Sequence, residues 1–163
     1  MNLLGLKTKG PNLDRPDEVL FDPQTDLYVS WYLRRRLAEE VARATRYRRP
    51  FSLIACVPQA LPGESIPQLV KQGGPFFRRL LRHGDHAGLL EGEVVAIGLP
   101  ETPASGARVL AQRLRTELGV RRTSQGRRVW LVGWASHPDD GTTVEALLQA
   151  ALEATKESRQ RAA

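Results

Sequence analysis

Apolar positions recur at helical spacing in several stretches of this chain and form short unbroken blocks between them, a pattern expected of amphipathic helices alternating with buried strands. Leu33, Leu37 and Val41 stand four apart beside Trp31, with Ser30 as the candidate N-cap and Pro50 as the stop. Phe51 to Val57 reads as a buried strand, ended by Pro58 and Pro62-Gly63. Ile66 to Gln72 predicts a short helix that Gly73-Gly74 interrupts. Pro75 then sits in the first turn of a second helix, Phe76 to His83, turning Phe77 and Leu80-Leu81 inward. Two apolar runs, His86 to Leu90 and Glu93 to Leu99, flank Glu91-Gly92 and predict a hairpin. Pro103 opens a helix with Val109-Leu110, Leu114 and Leu118 on one face, closed by Gly119. Val129 to Ala135 predicts a strand and Pro138 to Gly141 a turn, after which Thr142 or Thr143 caps a last helix from Val144 to about Ser158. Helix, strand, helix, hairpin, helix, strand, helix predicts an α/β (α+β) sandwich: a central, mostly antiparallel sheet flanked by helices on one face or both.

With 163 residues, 41% hydrophobic and 26% charged, the chain is long enough for one domain with a real core. Residues 1–20, carrying Gly10-Pro11 and Pro16 without periodicity, read as a flexible lead-in, and residues 21–163 as the domain. The longest apolar runs are too short to cross a bilayer and Met1 to Gly10 lacks a signal-peptide core, so the expectation is a cytoplasmic protein away from the membrane. Cys56, the one cysteine, lies inside an apolar run, which excludes a disulfide framework and reads as a small buried hydrophobe. The net charge of +6 is almost all arginine, since Lys7, Lys9, Lys71 and Lys156 are the only lysines. Arg34-Arg35-Arg36, Arg46, Arg48-Arg49, Arg78-Arg79, Arg121-Arg122 and Arg127-Arg128 read as solvated helix faces. They do not interleave with aromatic residues, so a nucleic-acid partner is disfavoured. His83, His86 and His137 are not spaced as metal ligands and read as solvent-facing or turn residues.

The segment Arg82-His83-Gly84-Asp85 carries the clearest candidate chemistry. An arginine and an aspartate three apart offer a fork of N–H donors and a carboxylate acceptor, and guanine presents matching acceptors and donors on its edges. The plainer reading is a helix end, with the cation compensating the dipole and Gly84-Asp85 turning the chain away.

Several phrases in a fixed order add to this. They are Asp22-Pro23-Gln24-Thr25-Asp26-Leu27-Tyr28, the exit Tyr47-Arg48-Arg49-Pro50, Leu99-Pro100-Glu101-Thr102, Ala111-Gln112-Arg113-Leu114-Arg115, and Leu131 to Gly141. In this order they resemble the GGDEF, or diguanylate cyclase, domain over roughly Phe21 to Arg159. Active members of that family join two GTP molecules into cyclic di-GMP, using carboxylates that hold divalent metal ions on the triphosphate. The resemblance puts Val57, followed by Pro58 and Gln59, where the first strand would end in an aspartate ligand. It puts Glu91-Gly92-Glu93-Val94-Val95 on the signature itself. Val94 takes the place of the second acidic ligand, and Glu91 replaces the glycine that lets backbone approach phosphate. The segment Pro58 to Pro67 keeps no counterpart of the guanine-reading residues.

The resemblance thus implies a degenerate domain with no diguanylate cyclase activity, no catalytic residue, no magnesium site and no cofactor. It also implies a surviving second site of the Arg-x-x-Asp, inhibitory type, five residues ahead of the signature, in which Arg82 and Asp85 read guanine and Arg113 meets phosphate or stacks on a base. Arg79 is counted as a further phosphate contact, whereas Arg115, about 200° round the helix from Arg113, points elsewhere. Lys156 matches a lysine near the family's last helix, in a helix that otherwise departs from the pattern. The expected function is a cyclic di-GMP receptor that relays the signal to a protein partner, with a homodimer as one possible assembly. The alternative is a scaffold or interaction domain without nucleotide, and weak GTP binding without synthesis ranks third.

Overall fold

The computed structural model describes residues 20–162 apart from 92, 120, 124 and 125, with the backbone alone for 121–123, 126–128 and 158–162. The elements are α1 (Ser30–Tyr47), β1 (Phe51–Gln59), α2 (Ile66–Leu80), β2 (His86–Leu90), β3 (Val94–Pro100), α3 (Ala104–Leu118), β4 (Arg121–Thr123), β5 (Gly126–His137) and α4 (Val144–Ala162). The strands form one sheet in the order β2-β3-β1-β5-β4, and every pairing is antiparallel.

Period-two alternation along the central strand divides the core in two. Ile54 and Cys56 of β1 join Val70 and Phe77 of α2 and Ala107, Ala111, Leu114 and Leu118 of α3 on one face. Leu53 and Ala55 join Leu33, Leu37 and Val41 of α1 and Val144, Leu147 and Ala151 of α4 on the other. Two helical layers therefore enclose the sheet. Gly133 sets how close α4 lies, because a Cβ there would overlap the Ala151 carbonyl oxygen. Among the described residues no helix is long and apolar enough to cross a membrane.

Several local expectations are corrected. Gly73, Gly74 and Pro75 do not divide a helix; α2 runs through all three. A side chain at Gly73 would press on the Phe77 ring at 3.2 Å and on Trp130 at 3.3 Å. Packing against the core thus outweighs the proline's missing N–H and the glycines' poor propensity. Ser30 is not the cap of α1: Val29 holds that place, and the Ser30 hydroxyl instead donates to Glu91 Oε1 at 3.3 Å. Pro58 does not end β1, because the β3 partner stops at Cys56 and leaves an edge on which a missing N–H costs no ladder bond. Pro103 is the N-cap of α3 and not its first residue. Thr143 caps α4, its Oγ1 accepting the Ala146 N–H at 3.2 Å.

Arg121, Arg122, Arg127 and Arg128 lie on the β4–β5 hairpin, not on helices. A three-residue edge strand without apolar alternation carries no periodic signal. His86 is buried at 7% exposure rather than solvent-facing. The lead-in expected over residues 1–20 falls almost entirely outside the described residues; Leu20, which is described, accepts the Val29 N–H at 2.9 Å.

Candidate functional site

The end of α2 and the middle of α3 make a cleft. After Leu80 the chain turns, the Leu81 N–H bonding back to the Phe77 carbonyl at 2.9 Å. The Arg82 N–H donates to Asp85 Oδ2 at 2.7 Å and the Asp85 N–H to the Arg82 carbonyl at 3.1 Å, which locks the four residues into a tight turn. On α3, Gly106, Val109, Leu110 and Arg113 follow helical spacing and face that turn. The resulting cavity of about 240 Å³ has Leu80, Leu99, Val109 and Leu110 in its walls and the side chains of Arg82, Asp85 and Arg113 around them.

The electrostatics are unbalanced. Among the described residues neither the Arg82 nor the Arg113 guanidinium has a carboxylate within ion-pair distance. Asp85 is half-buried, and loss of water pushes its carboxyl above the usual carboxylate range, opposed by the Arg82 N–H bond and by the charges of Arg82 and His86. The cleft thus offers two cations and a reluctant anion.

Arg79 is not in it. Its guanidinium is held by Glu117 on α3, one turn beyond Arg113, and lies over the Phe76 ring at 5.4 Å. Arg115 points away from the cleft and donates to the Val132 carbonyl at 2.7 Å. Arg78 pairs with Asp26 at 3.1 Å, and Lys156 bonds Glu153 at 2.9 Å.

The β2–β3 turn lies beside the N-terminal end of α1. Glu91 adopts φ of 47°, and its Oε1 accepts from Arg34 Nη2 at 2.6 Å and Nε at 3.2 Å as well as from Ser30. Gly92 lies outside the described residues, Glu93 is exposed, Val94 is half-buried and Val95 is buried. The last β1–β3 pair is Cys56 with Val95, so Val57 and Val94 each stand one residue beyond the last paired position of their strands. The two positions that the resemblance equips with metal-binding carboxylates both carry isopropyl groups. Glu93 alone does not make a divalent site, and Glu91 is engaged by Arg34. Among the described residues no three His, Cys, Asp or Glu side chains gather where they could hold a metal ion. Neither valine offers a ligand to magnesium.

A buried polar cluster backs β2. Glu40, at 4% exposure, sits 3.1 Å from Arg43 Nη1, 3.7 Å from Arg36 Nη2 and 3.7 Å from His86 Nε2. Arg36 Nη2 is 3.3 Å from the same histidine nitrogen, and His86 Nδ1 has no hydrogen-bond partner. The sequence does hold a sign of this cluster: Glu40 falls seven after Leu33, three after Leu37 and four before Ala44, on the apolar side of α1.

Burial and the Arg36 charge lower the His86 pKa below its ordinary 6.5, with Glu40 and Asp85 opposing. A histidine whose folded pKa is depressed contributes stability that is complete above the unfolded value and lost as pH falls toward the folded one. Urea midpoints are therefore expected to decline as pH drops below about 6.5. In His86→Gln the part of that decline owed to this residue disappears; an unchanged pH profile would show that His86 carries none of it.

No protein-family model matches this chain, and no curated protein does. Solved structures do. The GGDEF domain of the Pseudomonas aeruginosa protein called TpbB or YfiN superposes with a TM-score of 0.70 at 22% identity, covering 86% of this chain and 89% of that one. The GGDEF domain of DgcB from Caulobacter crescentus, solved in complex with c-di-GMP, gives 0.70 at 18% identity, covering 94% of each chain. The FimX GGDEF domain of Pseudomonas aeruginosa gives 0.71 at 16% identity, covering 87% of this chain and 94% of that one.

Proposed function

We propose, on the premise that this chain has the GGDEF-domain fold, that it binds cyclic di-GMP without making it and passes the signal to a protein partner. The observation that carries the reading is the cleft: Arg82 and Arg113, without a carboxylate in ion-pair distance among the described residues, line it together with the half-buried Asp85 and an apolar wall. Arg82 and Arg113 supply forks of donors for guanine O6 and N7 or for a phosphate, and Asp85 accepts from the guanine N–H groups. Those donors offset the desolvation that disfavours the Asp85 anion in the free protein. The cavity of about 240 Å³ is below the roughly 300–1,000 Å³ of an enclosing ligand pocket. It suits one base and its phosphate, with the rest of the dinucleotide on the open side. Arg79 would have to leave Glu117 to take part.

Synthesis is a different matter. Magnesium, when bound in such a fold, neutralises charge that develops at phosphorus. Val57 and Val94 offer it nothing, and the Glu91 carboxylate tied to Arg34 places an ion pair at the first signature position, where a glycine would leave open backbone.

Calorimetry with cyclic di-GMP tests the receptor reading. Binding at micromolar Kd or tighter, about −8 kcal/mol, is expected, and it should vanish in Arg82→Ala. Silence at high ligand concentration would leave the domain as an interaction scaffold. Incubation with GTP and magnesium should yield no cyclic dinucleotide, and product accumulation would overturn the assignment of Val57 and Val94.

A further inference from the structure

On the face of the sheet opposite the cleft, α1 and the start of α4 enclose a groove of about 520 Å³. Its floor is Ala38, Val41 and Ala42 of α1 with Val144 of α4, and Arg34 and Arg46 stand at its ends. Ala38 and Ala42 are exposed, so no described part of the fold covers them. Twelve residues separate the two arginines, which is about 18 Å along a helix and close to three turns. Small side chains on such a floor let a second backbone come near, the geometry of a helix laid in a groove.

The charge around the groove selects the visitor. From Arg34 to Arg49 the chain carries seven arginines against two glutamates. Glu39 pairs with Arg35 and Arg36, Glu40 is buried against Arg43, and Glu91 and Glu101, outside that stretch, hold Arg34 and Arg49, which leaves the charge of Arg46 and Arg48 open. Arg46 lies over the exposed Tyr47 ring at 5.4 Å, and among the described residues neither it nor Arg48 has a carboxylate partner. Glu145 is the one acidic group in the wall. A second copy of this chain would bring a second set of arginines to the same place, and like charges repel across an interface. We propose that this groove docks an amphipathic helix of a partner protein, one that sets acidic side chains beside its apolar stripe. The proposal stands apart from the reading of the cleft, because the two surfaces lie on opposite faces of the sheet and the test needs no nucleotide.

The test uses the full chain and a labelled synthetic helix of roughly 14 residues, apolar at every third and fourth position with glutamates flanking that stripe. A twin peptide carries lysines in place of the glutamates. Fluorescence anisotropy should give the acidic peptide a Kd of about 10–100 µM and the lysine peptide at least tenfold weaker binding. Ala42→Arg should weaken the acidic peptide at least tenfold with its thermal melt unchanged, and Arg46→Glu should narrow or reverse the preference between the two peptides. Equal binding of both peptides, binding of neither, or indifference to Ala42→Arg would overturn the proposal. So would sedimentation showing a dimer that Ala42→Arg dissolves, which would make the occupant a second copy. Displacement of the acidic peptide by a peptide of residues 1–19 would make it this chain's own segment.

Discussion

Asp85→Asn is expected to weaken cyclic di-GMP binding about 100-fold, or about 2.7 kcal/mol, without destabilising the free protein at neutral pH. The amide keeps an oxygen for the Arg82 N–H that Asp85 now accepts at 2.7 Å, so the turn survives. It also puts an NH2 group where guanine presents donors, losing a charge-assisted bond and leaving a donor unpaired, each worth about 1.5–3 kcal/mol. The pH dependence has a definite sign. Burial raises the Asp85 pKa above its ordinary 3.8, against the pull of Arg82 and His86. A carboxyl raised in this way contributes stability that is complete below the unfolded value and lost as pH rises through the folded one. At neutral pH the free domain therefore holds an anion it disfavours, and the asparagine variant should match or exceed it in urea at pH 7 and lose that advantage below pH 3.8. Unchanged affinity would remove Asp85 from the site. A clear drop in stability at pH 7 would mean that its bonds outweigh its desolvation.

Phe77→Ala is the substitution expected to cost the fold most. The ring is fully buried, stands edge-on to Trp130 at 5.8 Å between centroids, and fills the space left by the absent side chain of Gly73. Truncating such a ring removes about 3–5 kcal/mol through lost burial and the cavity left behind, against a total of about 5–15 kcal/mol for a domain. Urea unfolding should show a large fall in midpoint with an unchanged m-value. Because α2 leads directly into Arg82 and Asp85, ligand binding should weaken as well. Val109→Ala, at a position 52% exposed on the cleft's outer wall, should stay within about 0.5 kcal/mol. A Phe77→Ala loss as small as that would mean that α2 is not anchored by this ring.

Val57 and Val94 illustrate how much was legible in advance. Val57 and Val94 are far apart in the chain, and the inference that neither can ligate a metal needs only their side-chain chemistry. That each lies just past the end of the β1–β3 pairing follows from the register. The hairpin and the helical faces of α1 and α3 were likewise legible, because alternation and four-residue spacing are local. The continuity of α2 was not, since Gly73, Gly74 and Pro75 are all breakers by propensity, and only the ring of Phe77 and the indole of Trp130 explain why the helix survives them. The short β4 strand was not legible either, for an edge of three residues has no period to read.

Residue type and spacing by themselves determined the layered architecture and the candidacy of Arg82 and Asp85. Tertiary structure decided what those two share with Arg113: one cleft, in which neither arginine has a carboxylate within ion-pair distance among the described residues and burial raises the Asp85 pKa. It also decided that Arg79 is given to Glu117, that Glu91 is held by Arg34, and that buried Glu40 of α1 lies against His86 of β2. The physical reason is range. Propensity and periodicity act over a turn or two of chain, whereas ion pairs and desolvation depend on which side chains the fold brings within a few ångströms, and sequence distance carries no record of that.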